Sequence, residues 1–443
     1  MIYLPPMSET LFPDLNAVTA NESSAASGGA PRVETANRTQ IELTPTDLEA
    51  LLPPGHAARL VWRFVEGLDL TAFYRTIRAR DGTAGRAAID PKILMALWLY
   101  ATIDGVGSAR ELDRLCYAHD AYRWLRGGVS VNYHTLSDFR TGHQAALDDL
   151  LTQSIAALVH RGIVTLARVA QDGTRVRASA GAGSFRRDAT LRECLVRARK
   201  QVERTARQAE GGLSREAAAQ ERAARERLER VEEALRVLPE VQAIKAKRGK
   251  RATGEARAST SDPQARVMKM ADGGFRPAYN VQLATDADSR AIVGVAVTNS
   301  GNDAGALVPM LDQIERRAGR RPPVYLADGG FPKGDTITRA DDRGVTVYAP
   351  PATRKGDVDP TTPCRGDSAA DHAWRVRMRT DEAKAIYRER AATAEWTNAD
   401  ARTHRTLDRF LVRGLTKTTA CVLWVALAHN LLRTMEVVPH LMT

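Results

Sequence analysis

Three acidic residues of this 443-residue sequence are placed where they could act together: Asp172, Asp328 and Glu395. Asp172 follows the apolar run Ile163, Val164, Leu166 and Val169 within Gln171-Asp172-Gly173-Thr174, read as a strand that runs into a glycine turn. Asp328 ends a strand at Val324–Ala327, and Glu395 lies in a helix after a polar linker. In sheets with parallel strands, ligands gather beyond the carboxyl ends, and a neighbouring helix can lower a third acid toward the same point. Mg2+ takes oxygen ligands, keeping several waters beside a few carboxylates and substrate phosphates. Two such ions clamp the attacking and departing oxygens of an in-line phosphoryl displacement. Asp, Asp and Glu from three separated elements can make that site, with two Mg2+ (or Mn2+) ions as the cofactor expected.

Other acids compete for these roles. The pentapeptide Ala-Asp-Gly-Gly-Phe occurs at 271–275 and again at 327–331. The first copy separates Arg266–Met270 from a strand at Tyr279, so Asp272 reads as a hairpin turn. The second follows an apolar strand and precedes a helix, which favours Asp328. Asp286 and Asp288 read as turn residues, and Asp303 as a cap for a helix beginning at 304. Glu395 has rivals in Asp381, Glu382 and Glu389. On an unbroken helix Arg388 and Arg402 lie seven residues either side of it, sharing its face, with Asn398 nearby. That pattern fits a surface ion-pair ladder and equally a metal ligand whose arginine neighbours meet phosphates.

The elements that would position these groups fall into an α/β arrangement. Residues 1–43, rich in Ser, Ala, Asn, Gly and Pro, read as a disordered leader in which Met7 is a candidate start. Residues 44–162 show helical apolar spacing broken by Asp81-Gly82, Asp104-Gly105 and Gly127-Gly128, an all-helical domain. Within it, Ser108–Cys116 and Tyr133–Arg140 pair as a helix-turn-helix-like unit whose His134, Ser137 and Arg140 would meet DNA, or as ordinary bundle helices with a wet face. Residues 163–187 and 258–436 supply strands, two covering helices and two closing helices at about 376–404 and 415–436, a mixed sheet flanked by helices.

Between them, 188–257 reads as an inserted helical hairpin. Gly211-Gly212 breaks it, Ser214 caps its second half, and Ala224, Leu228, Val231, Leu235 and Leu238 form a heptad-type stripe. Residues 186–257 hold 20 basic and 12 acidic side chains, so +8 of the chain's +11 is concentrated there. The cluster Lys245, Lys247, Arg248, Lys250 and Arg251 closes the segment. A solvated coiled coil would mix its charges, so the one-sided surplus favours contact with DNA or a partner.

Composition bounds the remainder. Sixty-four Lys+Arg against 53 Asp+Glu give a sequence pI near 9.7, and an excess of this kind calls for an anionic partner, most often nucleic acid. Four dispersed cysteines without a C-x2-C pair argue against a zinc ribbon or a disulfide scaffold and fit the cytoplasm. The longest uncharged stretch, between Lys417 and Arg433, holds 15 residues, short of the roughly 18 that suggest a membrane span, so no membrane partner is expected.

Taken in order, Gln171-Asp172-Gly173-Thr174, Tyr279-Asn280-Val281-Gln282, Ala327-Asp328-Gly329-Gly330-Phe331, Tyr387-x2-Arg390-x4-Glu395-x6-Arg402 and Ala428-His429-Asn430-Leu431-Leu432 resemble the Asp-Asp-Glu transposases of bacterial insertion sequences. The resemblance spans about 45–435. It implies an RNase H-like catalytic domain with Asp172, Asp328 and Glu395 as its metal-binding triad. Tyr387, Arg390 and Arg402 match accessory positions; the last is Lys in many relatives, a cation of different geometry. N-terminal helices would bind the element's terminal inverted repeats, and water and then a freed 3′-OH would attack phosphodiesters without a covalent protein–DNA intermediate. Double-stranded DNA, at element ends and target, is the implied substrate, held by a homodimer or larger assembly. The competing readings are a related metal-dependent nuclease without strand transfer, a non-catalytic DNA-binding repressor, and a helical scaffold for protein partners.

Overall fold

A computed structural model describes residues 47–79, 86–210, 214–247, 254–353 and 359–437, with residues 39, 45 and 82 besides. Apart from Thr39, the expected leader at 1–43 lies outside the described residues, as do Arg248, Lys250 and Arg251 of the expected basic cluster.

The chain opens with helices α1 (Ala57–Glu66), α2 (Thr71–Arg75), α3 (Pro91–Ile103), α4 (Ala109–Ala118), α5 (Asp120–Arg126), α6 (Tyr133–Gly142) and α7 (Gln144–His160). Their starts are chemically marked. Asp90 accepts from Lys92 N with Pro91 in the first turn, Ser108 accepts from Glu111 N, and Asn132 accepts from Thr135 N, each relieving an amide that the helix itself leaves unpaired. The helix-turn-helix expectation changes here. The stretches read as a pair form α4 and α6, which do touch, but α5 lies between them in the chain in place of a short turn.

Strand β1 (Arg168–Arg177) follows, then β2 (Phe185–Arg186), the hairpin α8 (Asp188–Glu210) and α9 (Arg215–Lys247), β3 (Ala258–Ser259), β4 (Arg266–Lys269), β5 (Phe275–Asp286), β6 (Ile292–Thr298), α10 (Leu307–Ala318), β7 (Val324–Ala327), α11 (Thr336–Asp341) and β8 (Thr346–Tyr348). Helices α12 (Ala369–Met378) and α13 (Asp381–Arg390), a π-helical turn at Ala391–Glu395, α14 (Trp396–His404) and α15 (Leu415–Val437) close it. The main sheet runs β4-β5-β1-β7-β8, with β6 also on β5. β1 is antiparallel to β5 and parallel to β7, and β7 is parallel to β8.

The hairpin leaves and re-enters through the β2–β3 pair, Phe185 opposite Ser259. Ser214 Oγ accepts from Ala217 N, and Ala224, Val231 and Leu238 are buried along the expected stripe. Helix α9 continues through Pro239 to Lys247, where the sequence suggests an end near Pro239 and a flexible basic tail. Lys245 and Lys247 therefore sit on the helix, and Lys245 Nζ donates to Gly254 O and Glu255 O.

Helix α15 is 23 residues long and apolar enough by length and composition to cross a membrane, but 72% of its apolar window is buried inside the protein. It packs on α3, α6, α7 and β6, where Trp424 donates to Arg140 O and Asn430 pairs with the backbone of Ile292. It is the helix on which the N-terminal helices and the sheet share one apolar core.

Two residues read from sequence as local turn or cap chemistry serve tertiary packing instead. β1 does not turn at Gly173; it continues to Arg177 because β5 pairs with it along that length. A Cβ at Gly173 would stand 2.2 Å from Asp303 Oδ1 and 2.3 Å from Gln282 Nε2, so the glycine permits close approach of a buried polar cluster. Asp303 is not a helix cap, since α10 begins only at Leu307. Its carboxylate accepts from Arg175, Asn280 and Gln282 at 2.9, 2.8 and 2.6 Å. Gly173→Ala is expected to lower stability by about 1–3 kcal/mol through overpacking, read as a shift in the denaturation midpoint; an unchanged midpoint would mean the cluster yields freely.

Candidate active site

The β1–β7 register builds the site. Gln171 lies beside Ala327 in the parallel pair, so Asp172 and Asp328 occupy neighbouring positions where β7 stops and β1 runs on. At that notch β1 has strand β5 on one edge only, and the other edge is open to the α13–α14 segment above it.

That segment carries Glu395 and a break in helical phase. Five residues on an unbroken α-helix differ by about 140° around the axis, which would turn Arg390 and Glu395 apart. The π turn at Ala391–Glu395 absorbs the offset, and Arg390 Nη1 donates to Glu395 Oε1 at 2.7 Å. It also takes Arg388 off the expected face, because seven residues across a π turn are not two α turns, while Arg402, two α turns beyond Glu395, lines the same groove as it does. Arg388 is exposed on α13, and Glu395 pairs with Arg390.

All three carboxylates converge on the Arg390 guanidinium. Its Nη2 lies 3.7 Å from Asp172 Oδ1 and 4.0 Å from Asp328 Oδ2, while Nη1 holds Glu395. Asn398, one turn past Glu395, donates from Nδ2 to Asp172 Oδ2 at 3.0 Å. Arg390 is buried at 8% exposure, and among the described residues its Nε and the buried Asn398 Oδ1 have no hydrogen-bond partner.

Burial pushes the Asp172 carboxyl above its ordinary pKa, against the opposing pull of Arg390 and of the Asn398 hydrogen bond. Burial likewise raises the Tyr387 hydroxyl, with the Arg390 guanidinium 6.0 Å from its ring. Since Asp172 holds its proton more tightly folded than unfolded, its contribution to stability falls as pH rises through the ordinary carboxylate range toward the raised folded value. Asp172→Asn is therefore expected to raise the denaturation midpoint at pH 7, with the gain shrinking toward pH 4. A gain independent of pH would show that the carboxylate's charge is not its cause.

In front of the acids lies a groove of about 860 Å3 lined by Asp172, Glu395, Asn398 and Arg402, with Arg175 and Arg177 from β1 and Lys269 and Arg276 from the β4–β5 hairpin. Asp272 forms that hairpin's turn, accepting from Gly274 N and pairing with Arg276. Asp286 also keeps its turn role, accepting from Ser289 and from Leu166 N.

Among the expected DNA contacts, His134 and Ser137 are exposed on α6. Arg140 is turned inward. It donates to Gly107 O, its guanidinium lies 4.6 Å over the Trp98 ring, and it is 8% exposed. Its place on a helix that packs on both α4 and α15 explains the difference. The sequence reading missed the support beneath the site, in which Tyr325 donates to Gln171, Gln171 to Gln282 and Gln282 to Asp303. Its signal was the pair Asn280 and Gln282, polar at alternate positions of a buried strand.

Among the described residues, no three His, Cys, Asp or Glu side chains lie close enough as placed to hold a metal ion; the carboxylates surround a guanidinium instead. The donor chemistry nevertheless suits a hard cation. It is an all-oxygen set converging on a positive group, with the partnerless Asn398 Oδ1 beside it.

Residues 244–431 match the family model described as Transposase DDE domain. Residues 46–142 match a second, Transposase domain (DUF772). The chain belongs to the insertion-sequence DDE transposases. The two matches to this transposase leave out β1 and with it Asp172. No curated protein and no solved structure matches the chain.

Proposed function

We propose that this transposase binds the terminal inverted repeats of its mobile element and catalyses metal-dependent cleavage of DNA strands followed by their transfer to target DNA. The convergence of Asp172, Asp328 and Glu395 on one point at the end of β7 carries the reading. The mixed sheet, with the first acid on its middle strand and the second at the end of the neighbouring parallel strand, supports an RNase H-like catalytic domain.

Asp172, Asp328 and Glu395, with Asn398 Oδ1 at hand, would hold Mg2+ (or Mn2+). When bound, such ions supply Lewis-acid stabilisation of charge at phosphorus and on the attacking and departing oxygens. The chain's own residues do the positioning. Asn398 orients Asp172, and Arg390 keeps three mutually repelling carboxylates together. Arg402, Arg175 and Arg177 offer guanidinium forks to the phosphates of a strand in the groove. Tyr387, held protonated by burial, lines the site as a structural or DNA-contacting group and not as a nucleophile. His134 and Ser137 on α6 remain candidate contacts to the element's ends. Hydrolysis leaves a 3′-OH and a 5′-phosphate, and attack by that 3′-OH on target DNA exchanges one phosphodiester for another with no outside energy source. A homodimer or larger assembly would pair the two ends.

The test is Mg2+-dependent cleavage of duplexes carrying the element's own ends, with a second duplex as target. Cutting and joining together are expected. Cutting without joining would identify a nuclease, and binding without cutting a repressor.

A further inference from the structure

A second basic site lies where the inserted hairpin meets the body of the protein. Arg197 on α8, Arg227 and Arg230 on α9, Thr260 and Ser261 after β3, and Arg413 in the loop before α15 line a cleft of about 480 Å3. Among the described residues four guanidiniums line it and no carboxylate does. Three of them hydrogen-bond to neutral groups: Arg197 to Cys194 Sγ, Arg227 to Gln201 Oε1 and Arg413 to Ser179 O. Arg230 has Glu226 at 3.5 Å, a mostly exposed carboxylate, and Arg413 lies close enough to the buried Asp262 to pull that carboxyl's pKa down against the rise from burial. Desolvation, Arg413 and Arg227 all act to lower the Arg230 pKa, so the arrangement bears a like-charge cost that an anion would relieve.

The cleft is also placed along a path from the acids. Strand β1 leaves Asp172 through Arg175 and Arg177, both lining the catalytic groove, a run of roughly 17 Å over five residues of extended chain. Two residues further on, Ser179 accepts from Arg413, and Arg177 O accepts from Phe410 N in the same loop. The hydroxyls of Thr260 and Ser261 add neutral donors of the kind that join Arg in holding phosphate oxygens.

We propose that this cleft binds the sugar-phosphate backbone of duplex DNA, taking phosphates that flank the stretch lying in the catalytic groove. This rests on the transposase reading above and assigns the insertion a role as a grip on the substrate at the root of the hairpin. An acidic polypeptide is the competing occupant. Duplex DNA is favoured because the cleft adjoins a groove already lined with arginines on the same strand, and a regular polyanion can span both.

The full chain and an Arg227→Ala/Arg230→Ala variant are compared for binding a duplex of the element's end by anisotropy between 50 and 200 mM salt. Each phosphate that the variant no longer neutralises should lower the slope of log K against log salt by about 0.9, so a fall of about 1–2 is expected, with weaker binding to scrambled duplex as well. The Arg227→Lys/Arg230→Lys variant should keep most of the slope, because the charges remain. An unchanged slope in the Ala variant overturns the proposal. Equal loss in the Lys variant also overturns it, pointing to a structural role. Loss of polyglutamate binding with duplex affinity intact overturns it in favour of an acidic protein. Asp328→Asn tests the catalytic reading separately: persistent cleavage there would sink the triad while leaving the salt result standing.

Discussion

An Asp328→Asn chain is expected to bind the element's ends as the parent does and to cut them at least about 100-fold more slowly in Mg2+, the scale for losing one group that stabilises transition-state charge. The structure separates these effects. Asp328 Oδ1 accepts from Gly330 N at 2.8 Å in the turn that ends β7, and an asparagine oxygen accepts that bond equally well. The side chain is 52% exposed and 4.0 Å from Arg390, which keeps Asp172 and Glu395 as partners, so stability should move by no more than about 0.5 kcal/mol. Only the anionic donor is removed. Paired measurements of duplex affinity, denaturation midpoint and cleavage rate decide the matter. Cleavage at the parent rate would remove Asp328 from the triad, and loss of binding alongside cleavage would make the residue structural.

Arg390→Ala should behave in the opposite way, damaging stability as well as activity. Its guanidinium is the cation around which three carboxylates are packed, and without it Asp172 remains buried with only neutral partners, the Asn398 amide and the Gly173 backbone. The expected loss at pH 7 is about 1–3 kcal/mol, below the range for a fully buried pair because Asp328 and Glu395 are largely open to solvent screening. The sign of its pH dependence follows. Arg390 is the leading influence holding the Asp172 pKa down against burial, so its removal raises that pKa further. As pH falls, protonation of Asp172 relieves the repulsion and the gap between variant and parent narrows. Added Mg2+ should raise the denaturation midpoint of the variant more than that of the parent, because no guanidinium then competes for the carboxylates. Midpoints at pH 7 and about 4.5, with and without Mg2+, test this. Equal midpoints for variant and parent at pH 7 would mean that Arg390 does not hold the acids together.

Much of this protein is legible in local chemistry. Asp90, Ser108 and Asn132 mark helix starts through their own side-chain oxygens, and Ala224, Val231 and Leu238 announce a helical seam by spacing alone. The repeated Ala-Asp-Gly-Gly-Phe was separable into a hairpin turn and a strand end because the flanking residues differ. Local chemistry misleads where a residue's partner is distant in the chain. Gly173 reads as a turn until Asp303 and Gln282 are seen pressed against its Cα. Asp303 reads as a cap until Arg175, Asn280 and Gln282 are found bonded to it. Arg140 reads as a DNA contact until Trp98 is beneath it.

By itself the sequence determined the kinds of elements, the one-sided charge of the insertion and the three acids worth testing, because periodicity, capping and composition are properties of neighbours in the chain. Only the tertiary structure decided what those acids face. The parallel β1–β7 register sets Asp172 beside Asp328, and one π turn, which residue spacing on a regular helix does not reveal, swings Glu395 onto Arg390. Both are decided by packing between segments far apart in the chain, and the energy that selects them comes from burial and charge pairing that exist only once the chain has folded.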